Sequence, residues 1–127
     1  MTQDVTVLRP DEPARFNTDR LERLCKEVGE IRAEHEVANA LQVISRRLHD
    51  IRDVDPWGEA PLLAGPVRAL IAASDRIGMA TLSRVARDVQ CCAARRDAVS
   101  LAATYMRLLR VGDRSIKAIW DLEDASG

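Results

Sequence analysis

From Val37 onward, the apolar residues Leu41, Ile44, Leu48 and Ile51 follow one another at steps of 4, 3, 4 and 3. That rhythm aligns side chains along one narrow side of an α-helix, whereas a half-buried strand alternates with a period of two. The stripe lies within residues 31–53, and it requires a long helix packed along a neighbour at a shallow angle. Composition says what the neighbour is made of. Aromatic residues are 3% of the chain, namely Phe16, Trp57, Tyr105 and Trp120, so the core falls to Leu, Ile, Val and Ala, a mixture that favours helices over sheets. With 127 residues, 46% of them hydrophobic, one domain is the economical reading. A chain of this size buries roughly two-thirds of its unfolded surface and needs no disulfide or metal to hold it.

The rest of the chain reads the same way. Residues 1–16 carry two prolines and no sustained period, and are expected to form an arm ahead of a helical unit at 17–127. Asn17 or Thr18 can cap a short first helix with apolar Leu21, Leu24, Cys25 and Val28, and Gly29 stands where a helix end wants positive φ. After the long second helix, Asp55-Pro56-Trp57-Gly58 is turn chemistry, and Pro66 suits the first turn of a third helix carrying Val67, Leu70, Ile71, Ser74 and Ile77. Gly78 separates it from a fourth helix with Leu82, Val85, Ala86 and Val89. Asp97 can cap a fifth, which is expected to bend at Gly112. No strand pattern interrupts this series. The expected fold is all-α, an up-and-down four-helix bundle with a short extra N-terminal helix. Its single core should hold Leu41, Ile44, Leu48, Leu70, Leu82, Val89, Leu101, Leu108 and Ile119.

Several function classes fall away. The balance of 19 basic against 20 acidic residues removes the electrostatic case for nucleic acid or an anionic membrane. The longest apolar run, residues 69–73, is too short to span a bilayer, and no export signal opens the chain, so a cytoplasmic protein is expected. The three cysteines are an odd number. Cys91 and Cys92, adjacent on one helix, point about 100° apart and cannot pinch one ion. His35 and His49 have no partner at ligand spacing, and neither a phosphate loop nor a nucleophile elbow is present. The expectation is a binding protein without metal, cofactor or enzymatic activity.

Gly78, Leu82, Ala86 and Asp97 form G-x-x-x-L-x-x-x-A with an acidic cap nineteen residues after the glycine. Together with Phe16-Asn17-Thr18-Asp19-Arg20-Leu21, Val28-Gly29-Glu30 and the long helix ending in Arg47-Leu48, this resembles histidine-containing phosphotransfer (HPt) domains over residues 16–122. In that family a phosphorylated histidine stands about ten residues before the glycine. Here Arg68 takes that place, Ile71 replaces the family's lysine, and Ala72 and Ala73 replace its Gly-Ser pair. A guanidinium has no lone pair with which to attack an aspartyl phosphate. The resemblance therefore implies a degenerate module of bacterial-type two-component signalling. It would be a monomer that binds a response-regulator receiver domain or a histidine kinase without relaying phosphate. Arg68, Ile71, Ala72 and Asp75 are the expected contact residues, with Arg68, Ile71 and Asp75 sharing one exposed face at i, i+3 and i+7.

A second stretch, His35-Glu36-Val37-Ala38-Asn39-Ala40-Leu41-Gln42-Val43-Ile44-Ser45, resembles the phosphoacceptor helix of a class of sensor histidine kinases. That resemblance implies the alternative function, a dimeric phosphoacceptor protein phosphorylated on His35. Glu36 and Ala38 stand where that family has basic residues, and Glu34 adds a carboxylate that would repel an incoming phosphoryl group.

Overall fold

The structure, a computed structural model, describes the backbone of residues 17–126, with side chains at all of these except 119, 120 and 122–126. The expected arm and core position Ile119 lie outside what is described. Asn17 caps α1 (Thr18–Val28), its side-chain oxygen accepting from the Arg20 amide at 3.3 Å. Gly29, at φ 86° and ψ 161°, ends α1 and begins α2 (Glu30–Arg52) in a backbone region open essentially to glycine alone. A linker with a short 3₁₀ helix at Ala60–Leu63 leads to α3 (Ala64–Arg76), which starts two residues before Pro66. Then come α4 (Ala80–Ala94) and α5 (Ala98–Ser126). No strand occurs among the described residues.

Each helix packs on the one that follows it, and α2 also meets α5. The core sits between them. Seven of the nine expected core residues, Ile44, Leu48, Leu70, Leu82, Val89, Leu101 and Leu108, are buried, and Leu41 is half-buried against the same cluster. Helical periodicity reported these positions correctly because each stripe faces one common interior. At Gly112 α5 continues as one helix. The glycine serves packing there, because a Cβ would come within 2.7 Å of Leu48 Cδ2 on α2.

Two polar devices fix the helix ends. The buried Tyr105 hydroxyl on α5 faces the carbonyls of Ile51, Arg52 and Val54 at 3.0, 3.0 and 2.9 Å and donates into this group, covering the open C-terminal end of α2. Burial pushes its phenol above the ordinary value. Tyr105→Phe keeps the ring and strands the carbonyls, so chemical denaturation should show a loss of about 1–3 kcal/mol. Asp97 caps α5: its carboxylate accepts from the Ser100 amide at 3.1 Å and from the Ser100 hydroxyl at 2.8 Å. These bonds hold its carboxyl below the ordinary value. A depressed acid stabilises the fold above its unfolded pKa and loses that contribution as pH falls through the folded one. Asp97→Ala should therefore lower the thermal midpoint at neutral pH, and the gap from the parent should close as the pH drops below the carboxylate range.

Candidate functional site

The third helix carries the expected contact residues, and the structure divides them. Arg68 and Ala72 are exposed. The Arg68 side chain makes no hydrogen bond or ion pair with any described residue. Ile71, expected on the same wet face, is instead buried at 8% exposure and belongs to the core cluster. The reason is angular. A step of three residues falls about 60° short of a full circle, and here that shortfall carries Ile71 from Arg68 toward Val67, which is itself buried. The i, i+3, i+7 relation places residues on one side of a helix without saying where that side meets the core.

Asp75 is exposed as expected, yet it is engaged by its own chain. Its two carboxylate oxygens accept from the Ser83 hydroxyl and the Arg87 guanidinium, clamping α3 to α4. Arg87 Nε also reaches the Ser83 hydroxyl at 3.4 Å. One residue further, Arg76 pairs with Glu36 and ties the end of α3 to the start of α2. Helix α3 carries three charged side chains, Arg68, Asp75 and Arg76. Two are committed internally, which leaves Arg68 as the cation available to a partner.

His35 is exposed near the start of α2, beside a shallow depression lined by Val28, Ile31, Arg32 and Asn39. Ile31 there is 76% exposed. The stripe that a dimeric hairpin would bury between chains is already covered within this one, with Ile44 and Ile51 at 0% exposure. Cys25 and Cys91 are exposed and Cys92 is half-buried. No group of three or more His, Cys, Asp or Glu residues among those described could hold a metal ion, and no described helix is long and apolar enough to cross a membrane.

Arg68 also lines a hollow of about 580 Å³ at the end of the molecule where the linker, the start of α3, the end of α4 and the start of α5 converge. Sequence reasoning missed this place. Trp57 forms one wall and is 63% exposed. The loop presenting it is braced: the Asp55 side chain accepts from the Trp57 amide at 2.9 Å, and the Asp55 amide donates to the Glu59 carboxylate at 3.0 Å. The turn residues signalled a turn, but nothing in them said that the turn would lean over α3 and α4. Compared with protein-family models, curated proteins and solved structures, the chain matches none.

Proposed function

We propose that this chain is an HPt-like signalling module that binds a response-regulator receiver domain or a histidine kinase through α3, without phosphotransfer at the usual site. In this reading α2 to α5 form an up-and-down four-helix bundle and α1 is the short extra helix. The packing order, each helix on the next with α2 returning to α5, supports that arrangement. The observation that carries the functional reading is Arg68. It occupies the histidine's place in the resemblance, is exposed, and is the one charged side chain of α3 with no intramolecular partner among the described residues. Its planar fork suits the carboxylate cluster of a receiver and cannot accept phosphate. Ala72, one turn further, leaves room for close approach. Ile71 has no part in this contact.

Titration with purified receiver domains tests the proposal. Arg68→Glu should weaken a measured complex by about 1–3 kcal/mol while leaving the thermal midpoint nearly unchanged, as an interface residue does. Equal affinity of parent and variant for every receiver that binds would overturn it. The alternative, phosphorylation on His35, is favoured by the exposure of that side chain. Radiolabel acquired from phosphorylated receivers and lost in His35→Ala would establish it. The covered α2 stripe speaks against the dimeric form of that alternative.

A further inference from the structure

The hollow beneath Trp57 combines three properties that the packing of the bundle does not require. Its walls are mainly apolar, with Trp57, Val67, Val89 and Leu101 among them, and its volume of about 580 Å³ falls within the range of small-ligand sites. Its charged lining residues are Arg68 and Arg96, and no carboxylate lines it. Neither guanidinium has a hydrogen-bonding or ionic partner among the described residues. The nearby acids are occupied: Asp55 and Glu59 brace the loop, and Asp97 caps α5.

Arg96 adds an independent sign. It follows α4 at φ 56°, the sole non-glycine residue with positive φ among those described. The surrounding bonds, Asp97 N to Cys92 O at 3.3 Å and Arg96 N to Ala93 O at 3.2 Å, are those of a helix end that ordinarily selects glycine. An arginine is thus held in a disfavoured conformation at the rim of an apolar hollow, opposite no counter-charge of the chain's own.

We infer that this hollow binds a small amphipathic organic anion, a carboxylate or sulfonate whose apolar body lies against Trp57 and whose charge meets Arg68 and Arg96. The site shares Arg68 with the receiver contact proposed above but does not rest on that reading, and its test involves neither receiver nor kinase. The probes are decanoate, the dye anilinonaphthalene sulfonate, and its uncharged relative N-phenylnaphthylamine. The sulfonate should bind one per chain, saturably, with quenching of tryptophan emission that disappears in Trp57→Phe, and decanoate should displace it. Arg68→Gln and Arg96→Gln should each weaken binding about tenfold, the loss of one charge-assisted contact. Arg96→Gly relieves the backbone and should raise the thermal midpoint while weakening the anion, an opposition that a purely structural role would not produce. Uncharged and charged dyes binding equally, or arginine variants binding as the parent does, would overturn the inference. So would a short acidic peptide that binds where decanoate does not, since the occupant would then be a protein segment.

Discussion

Gly78→Ala is expected to destabilise the fold by about 2–5 kcal/mol, the sum of a conformational and a steric part. Gly78 sits at φ 77° in the turn between α3 and α4, where an L-residue costs about 1–2 kcal/mol. A Cβ there would also stand 2.6 Å from the backbone oxygen of Asn17 and 3.2 Å from Arg20 Cβ. Backbone cannot rotate away as the tip of a side chain can. The same contact carries the hydrogen bond from Asn17 N to Gly78 O, 2.6 Å long, which pins the start of α1 to this turn. Gly29→Ala supplies the control, because Gly29 also has positive φ but nothing lies within 4 Å of its added Cβ. It should cost only the conformational part, about 1–3 kcal/mol. Urea denaturation of both variants measures the difference. Equal losses would mean that α1 gives way without penalty and that the close approach to Asn17 is unimportant.

Gly78 also shows what the sequence carries and what it withholds. A glycine between two apolar-periodic segments announces a break, and the helix bounds on both sides followed from it. That the break is held by the residue capping α1, some sixty residues earlier, is a tertiary fact with no local signature. The same divide separates the core from the site. Stripes of Leu, Ile and Val on five helices must share one interior, so period alone identified seven buried positions. Ile71 shows the limit of that argument: where the apolar arc ends on a helix depends on how the neighbouring helices crowd it. Asp75 reads as a free surface acid until α4 brings Ser83 and Arg87 against it. Tyr105 reads as one more apolar residue of α5, yet its hydroxyl serves carbonyls more than fifty residues away. Arg96 had a local cue, two arginines where a helix end prefers glycine, but its position beside Arg68 and Trp57 needed the folded chain.

The burial of Ile71 carries the second large effect. Ile71→Asp should lose about 3–5 kcal/mol, because it removes a core side chain and places an unpaired carboxylate in its stead. Val67 and Leu70, its neighbours on the same side of α3, are buried at 1% and 0% exposure, so the new charge would face an apolar interior. Asp75, one turn along, would add like-charge repulsion. Burial raises the pKa of such a carboxyl, so the folded state would hold its proton to higher pH than the unfolded chain does. By linkage the variant should recover stability as pH falls toward the carboxylate range, the reverse of the trend at Asp97. Arg68→Glu, three residues away on the exposed side, should stay within about 0.5 kcal/mol of the parent and show no such recovery. The pair of variants separates a core position from an exposed position on one helix. If Ile71→Asp proved as stable as Arg68→Glu, the outer face of α3 would include the isoleucine, and the contact surface proposed around Arg68 would be apolar as well as charged.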